Sequence, residues 1–92
     1  PVSIAMFDNE MRYLMASKRW LQDYGIEQHI IGRSHYDIFN IPDHWKQIHR
    51  ECLSGAVRKS DQDTMLHKGQ FEYIRWEIRP WYQGQDIGGL VM

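Results

Sequence analysis

The residues of this sequence most able to act as nucleophiles, bases or metal ligands are a single cysteine and five histidines. His49 and Cys52 stand three residues apart, a spacing that lets two side chains meet on one face of a helix. A cysteine nucleophile needs a base within hydrogen-bond reach and a third group that orients the base. No acidic residue lies on that face at helical spacing, because Glu51 points away from it. Since free cysteine is among the most often buried residue types, we expect Cys52 to be an inert core residue.

The spacing of the histidines also bears on metal binding. They stand at positions 29, 35, 44, 49 and 67, and form neither an HxH nor an HExxH pattern. A structural zinc site takes four protein ligands and a catalytic zinc site three. His49 and Cys52 supply only two on one helix, so we expect no metal site.

The composition is that of one small globular domain. Of the 92 residues, 42% are apolar, 25% charged and 13% aromatic, which excludes a disordered chain. The longest apolar run, Ile4–Phe7, is far shorter than the roughly 20 residues of a membrane span, so we expect no membrane insertion. The 11 basic and 12 acidic residues are evenly mixed and form no basic stripe, so we expect no nucleic-acid partner. A single cysteine cannot form an internal disulfide, and we predict a cytoplasmic location.

Turn residues and periodicity divide the chain into strands and helices. Ser17 is a predicted N-cap and Gly25 a predicted end for the first helix, and Ser34 caps a second, shorter helix. The longest predicted helix starts at Pro42 and stops before Gly55. Beyond it the apolar period changes to two, as in strands. The predicted elements are strands over 2–7 and 11–16, helices over 18–24, 35–39 and 42–54, and strands over 57–66, 71–82 and 87–92, with hairpin turns at 67–70 and 83–86.

The long strand over 71–82 has two different faces, because successive side chains of a strand point to opposite sides. The apolar face, which we expect to meet the core, carries Ile74, Trp76, Ile78 and Pro80. The opposite face mixes charges with aromatic rings and carries Tyr73, Arg75, Glu77, Arg79 and Trp81. Because exposed surfaces of this kind commonly mark partner contacts, we predict that Tyr73 and Trp81 belong to an interface. The order of the elements predicts an α+β domain with helices on one face of a single antiparallel sheet.

Several stretches stand in a characteristic order along this α+β pattern. They are Lys18–Leu21, Ile31–Ser34 leading to Phe39, and Ile74–Trp81 followed by Gly84, Ile87 and Gly89. Together they resemble the PAS domain family over nearly the whole chain. The resemblance implies a five-stranded antiparallel sheet with short helices and one longer helix on one face, and a cavity between sheet and helices. The chain departs from the family's usual residues at Ser17, Lys68–Gly69 and Tyr82–Gln83, all of them at turns or caps.

The resemblance also implies a function. PAS domains are non-catalytic sensory or dimerisation modules of proteins such as histidine kinases and diguanylate cyclases. We therefore expect residues 1–92 to be one domain of a longer signalling protein, which would suit a chain that starts at Pro1 without an initiator methionine. The domain would bind a small ligand or partner, relay the signal to an output domain in the same chain, and form a homodimer through the sheet face or a flanking helix.

The residues expected to line the cavity come from the longest helix and the last strands. They are Trp45, His49, Cys52, Thr64, Ile74, Trp76 and Ile78. The alternative is that these aromatic side chains simply fill the core, since a domain of this size needs large apolar side chains to be stable.

Two cofactors and one enzymatic role are alternatives for the cavity, and the identity of any cofactor stays open. Haem would need an axial histidine on the longest helix, which carries His44 and His49. Flavin is not expected, because 32–36 contains no reactive cysteine and Ile74 and Trp76 replace polar amides in the sheet. A small isomerase-like enzyme would need an acid on the apolar face, where Ile74, Trp76 and Ile78 cannot titrate.

Overall fold

The computed structural model describes residues 2–67 and 69–92, except for the side chains of 65–67. Lys68, which belongs to the predicted turn at 67–70, lies outside the described residues, as does Pro1. The strands are β1 (Ala5–Asp8), β2 (Tyr13–Ala16), β3 (Arg58–His67), β4 (Gln70–Gln83) and β5 (Asp86–Val91). The helices are α1 (Lys18–Asp23), α2 (His35–Ile38) and α3 (Asp43–Leu53).

One five-stranded antiparallel sheet organises the domain, in the order β2-β1-β5-β4-β3. The last strand in the chain is therefore the central strand of the sheet. Helix α3 packs against β4 and β5. The predicted α+β class, the five-stranded antiparallel sheet and the single longer helix are confirmed.

Serine side chains cap the two short helices where they begin, as predicted. The Ser17 hydroxyl accepts a hydrogen bond from the backbone N–H of Trp20, and the Ser34 hydroxyl accepts one from that of Tyr36. Each of these bonds satisfies a backbone donor that the first helical turn leaves unpaired. Gly25 follows α1 with a φ of 64°, the left-handed conformation that ends many helices.

The first hairpin is shorter than its predicted extent because a tight turn occupies its middle. The Asp8 carboxylate accepts hydrogen bonds from the backbone N–H groups of Glu10 and Arg12, and Met11 takes a φ of 59°. A residue with positive φ cannot continue a strand. Regular pairing therefore resumes only at Tyr13.

The core lies between the sheet and the helices. Phe7, Tyr13, Cys52 and Leu90 are fully buried, and they come from β1, β2, α3 and β5. On β4 the predicted alternation is present: Ile78 is 3% exposed, whereas Tyr73 on the other face is 84% exposed. In the described part of the chain, no helix combines the length and apolar character needed to cross a membrane.

A close approach of β5 to its neighbours depends on two adjacent glycines. A Cβ at Gly88 would lie 2.2 Å from the Trp81 indole, and a Cβ at Gly89 would lie 1.8 Å from the Phe7 carbonyl oxygen. Gly89 also has a φ of 156°. Only residues without a side chain allow the indole and the β1 backbone to come this near.

Candidate functional site

A cavity of about 860 Å³ lies between the inner face of β4 and the helices. Its volume falls in the range of roughly 300–1,000 Å³ that is typical of small-molecule sites. Aromatic rings from four parts of the chain form much of the wall; they are Trp20 of α1, Phe39 after α2, Trp45 of α3 and Trp76 of β4. The Trp45 and Trp76 rings meet edge to face with centroids 5.0 Å apart. The aromatic side chains thus enclose space as well as filling the core.

Five of the seven predicted lining residues do line this cavity. They are Trp45, His49, Ile74, Trp76 and Ile78. The two faces of β4 and the amphipathic pattern of α3 bring them together, because the inner face of the strand lies opposite the helix.

Thr64 does not line the cavity. It is paired with Tyr73 in the β3–β4 ladder, and directly paired residues of antiparallel strands point to the same face. Tyr73 points outward, and Thr64 is exposed beside it. The inward position belongs to Asp63, which is paired with Ile74. A turn at 67–70 already implies this register, so the sequence did contain the signal for Asp63.

Asp63 supports the cavity wall by holding Trp76. Its carboxylate accepts a 2.9 Å hydrogen bond from the Trp76 indole N–H. That bond lowers the pKa of Asp63 below its usual value, so the group stays ionised at neutral pH. A general acid in an isomerase-like site would need the opposite shift.

Cys52 is a core residue and is not part of the cavity lining. It is fully buried against β4, where its thiol lies 3.5 Å from the Ile78 carbonyl oxygen. Burial raises the pKa of the Cys52 thiol. Because the thiolate is the reactive form, a raised pKa argues against nucleophilic chemistry here.

Two buried histidines that line the cavity are each held by a tyrosine hydroxyl. His35 Nδ1 lies 2.8 Å from the Tyr13 hydroxyl, and His49 Nδ1 lies 2.7 Å from the Tyr36 hydroxyl. The two imidazole rings are 5.9 Å apart. Burial lowers the pKa of each histidine to about 4, so both rings are neutral at pH 7. The sequence gives no local signal for the Tyr13–His35 contact, because 22 residues separate the two.

The arginines around the cavity form ion pairs. Arg19 bonds to Asp23 at 2.8 Å, and Arg79 bonds to Glu77 at 2.9 Å. Arg75 lies 3.4 Å from Asp61 across the β3–β4 ladder. The cavity therefore has a rim of compensated charge around an aromatic interior.

The two predicted interface residues have different surroundings. Tyr73 is 84% exposed on the outer face of β4. Trp81 is half-buried, lies across Gly88, and donates a 2.8 Å hydrogen bond from its indole N–H to the Phe7 carbonyl oxygen. Trp81 thus ties β4 to β1 across the central strand.

A comparison of the sequence with protein families decides the classification. The family model described as the PAS fold matches residues 1–92. The chain belongs to the PAS fold family. PAS domains are generally non-catalytic sensory modules.

One solved structure gives the same fold independently. The PAS domain superposes on VqmA bound to DPO with a TM-score of 0.77 and 18% sequence identity. The match covers 99% of this chain and 50% of that one, so the chain spans about half the length of this relative. A search of curated proteins finds no significant match.

The candidate cofactor ligands of the PAS domain can now be placed. His49 lines the cavity, whereas the other histidine of α3, His44, is exposed and is not part of the lining. Among the described residues, no group of three or more His, Cys, Asp or Glu side chains is arranged to hold a metal ion. The haem alternative would therefore need His49, and not His44, as the axial ligand.

Proposed function

We propose that this PAS domain senses a small molecule bound in the cavity and relays the binding event to an output domain in a longer chain. The observation that carries the proposal is the cavity of about 860 Å³ with an aromatic wall and two buried imidazoles. A filled core would leave no such space. The likeness of the fold to VqmA bound to DPO supports the proposal.

The sheet offers a physical route for the relay. The inner face of β4 lines the cavity, and β4 is paired with the central strand β5 from Arg79 to Gln83. A ligand that binds one packing of β4 more tightly than another shifts the population of sheet conformations. Because β5 is the last strand, that shift reaches the C-terminal side of the domain. The output domain, such as a histidine kinase or diguanylate cyclase, would supply any catalysis, and a free buried cysteine suits a reducing, cytoplasmic location.

The first experiment reads the content of the cavity directly. The domain is purified without denaturation, and its absorption spectrum and native mass spectrum are recorded. We expect a bound mass of a small organic molecule and no Soret band. A Soret band would favour the haem alternative through His49. An unliganded mass that takes up no small molecule from a cell extract would contradict the proposal.

Replacement of Trp76 tests whether the aromatic wall binds ligand. In the variant Trp76→Ala we expect the affinity for an aromatic probe, 2-naphthamide, to fall by about tenfold or more, because the variant lacks one ring of the wall. Isothermal titration calorimetry measures this change. Tyr82→Ala is the matched control, since Tyr82 is an exposed aromatic residue of the same strand outside the lining. Equal affinities of Trp76→Ala and the wild-type protein would show that the wall does not contact the ligand.

We also propose that a second copy of this chain packs on the outer face of β4. Phe71 and Tyr73 are 80% and 84% exposed there. Arg75 and Glu77 carry opposite charges, so a copy related by a twofold axis that passes between them would set Arg75 of each copy against Glu77 of the other. Self-complementary surfaces of this kind are what a symmetric dimer requires.

Sedimentation velocity tests this dimer. We expect the wild-type domain to sediment as a dimer at micromolar concentration and the variant Tyr73→Glu to sediment as a monomer. Val57→Glu is the control, because Val57 is 50% exposed and lies outside β4. A wild-type domain that stays monomeric up to several hundred micromolar would refute the dimer.

A further inference from the structure

The hydrogen bonds around Tyr13 determine which nitrogen of His35 carries its proton. The Trp20 indole N–H donates to the Tyr13 hydroxyl oxygen at 3.3 Å, and an indole N–H can only donate. Burial raises the pKa of Tyr13 to about 12, so the hydroxyl keeps its proton at neutral pH. That proton is then available to His35 Nδ1 at 2.8 Å. Because His35 is neutral, Nδ1 accepts this bond and the ring proton sits on Nε2.

The Nε2–H group of His35 has no partner among the described residues. His35 is only 6% exposed, and the one hydrogen bond of its side chain to the described residues is made through Nδ1. In the described part of the chain, no side-chain nitrogen or oxygen is both sealed from solvent and unpaired. The unpaired Nε2 atom of His35 must therefore face an open space. His35 lines the cavity, so the cavity is the space that Nε2–H reaches. The cavity therefore contains a hydrogen-bond donor that is held in place and unused.

The charges of the lining disfavour an ionic ligand. Each of the three arginines at the rim of the cavity already forms an ion pair; these are Arg19 of α1 and, from exposed positions of β4, Arg75 and Arg79. The imidazole rings of His35 and His49 are neutral. An anion that moved into this aromatic interior would lose its hydration without gaining an opposite charge. The ammonium group of a cationic ligand has no free lone pair, so it could not be the acceptor for Nε2–H.

We infer that the cavity selects an uncharged aromatic molecule with a hydrogen-bond acceptor, which accepts from Nε2–H of His35 while its ring packs against Trp20, Trp45 and Trp76. This inference rests on the proposed function and adds the chemical class of the ligand. Residues from three elements cooperate in it: β2 supplies Tyr13, α1 supplies Trp20 and α2 supplies His35. Tyr13 and Trp20 act as positioning residues for the donor.

Three probes with one ring system separate the contributions of ring, acceptor and charge. They are naphthalene, 2-naphthamide and 2-naphthoate, titrated into the ¹⁵N-labelled domain while the indole N–H signals are followed by NMR. We expect 2-naphthamide to bind about three- to tenfold more tightly than naphthalene, the effect of one net hydrogen bond. We expect 2-naphthoate to bind more weakly than the amide. Equal affinity for amide and naphthalene, or tighter binding of the carboxylate, would overturn the inference.

The variant His35→Phe tests the donor itself. It keeps a ring at this position but has no N–H group, so the preference for 2-naphthamide over naphthalene should disappear. The control His29→Phe, at an exposed position, should keep the preference. A preference that survives in His35→Phe would overturn the inference.

A measurement on the wild-type domain covers the case in which His35→Phe fails to fold. The ¹⁵N shifts of the His35 ring report its tautomer, and we expect the Nε2-protonated form at pH 7. An Nδ1-protonated ring would overturn the inference even if the probes bind. Failure of the proposed function looks different: none of the three probes would shift the indole signals of Trp20, Trp45 or Trp76.

Discussion

The domain should lose stability as the pH falls from about 6.5 to about 4. Burial lowers the folded-state pKa of His35 and of His49 from 6.5 to about 4, with further lowering of His35 by His49 and of His49 by Arg50. Between these pH values the unfolded chain binds more protons than the folded one, so acid favours unfolding. Each histidine contributes a slope of up to about 1.4 kcal/mol per pH unit, or on the order of 3 kcal/mol across the window. For a small domain, this is a large part of a total stability of roughly 5–15 kcal/mol.

Urea unfolding at a series of pH values from 7.5 to 4.5 measures this effect. The variants His35→Phe and His49→Phe should each show a shallower dependence of the unfolding free energy on pH than the wild-type domain. His29→Phe is the control for the replacement of a histidine at an exposed position. Asp8 and Asp63 have lowered pKa values in the folded domain, so they change the free energy of unfolding mainly below pH 3.8, which lies outside this window. A stability that is flat between pH 6.5 and 5 would contradict the assignment of two neutral buried histidines.

The variant Gly89→Ala should be strongly destabilised. A Cβ at this position would lie 1.8 Å from the Phe7 carbonyl oxygen, which belongs to the backbone of the neighbouring strand and cannot rotate away. The φ of 156° adds conformational strain for any residue with a side chain. Overpacking and strain together should lower the free energy of unfolding by roughly 2–5 kcal/mol. The pairing of the central strand β5 with β1 is the contact that would be disturbed.

Two other glycines serve as controls for this experiment. Gly25→Ala places a Cβ in open space, so its cost should be limited to about 1–2 kcal/mol from its positive φ. Gly88→Ala meets the side chain of Trp81 and should lie between the two, since an indole can shift where a backbone cannot. Thermal and urea denaturation of the three variants give the order. A Gly89→Ala variant as stable as Gly25→Ala would refute the close contact between β5 and β1.

The cavity shows how far local patterns lead in this domain. Period-two alternation placed Ile74, Trp76 and Ile78 on the inner face of β4, and helical spacing placed Trp45 and His49 on α3 opposite them. The assignment of Thr64 was wrong because it ignored the register that a turn at 67–70 imposes. That error concerned local geometry and could have been avoided from the sequence.

The remaining parts of the site depend on contacts between residues that are distant in the chain. Cys52 and His49 lie on the same helix, yet only the packing of α3 against β4 decides that Cys52 faces the sheet and His49 the cavity. Trp81 was predicted from its face of β4 as an interface residue, which stays a prediction; the structure adds that its indole spans Gly88 to bond Phe7, 74 residues away. The indole can cross β5 because Gly88 has no side chain, and this space exists only once β1, β4 and β5 are adjacent.

The sequence by itself determined the elements, their caps and the apolar faces, because propensity, capping and periodicity act over a few residues. Together with the family resemblance, these were enough for the α+β fold, but they left open whether side chains fill the space between the sheet and the longest helix. Only the tertiary structure decided which polar groups enter that cavity. The tautomer of His35 depends on Tyr13 and Trp20, which the fold brings from two other elements. A hydrogen-bond network of this kind is a property of three-dimensional proximity, and no short-range pattern encodes it.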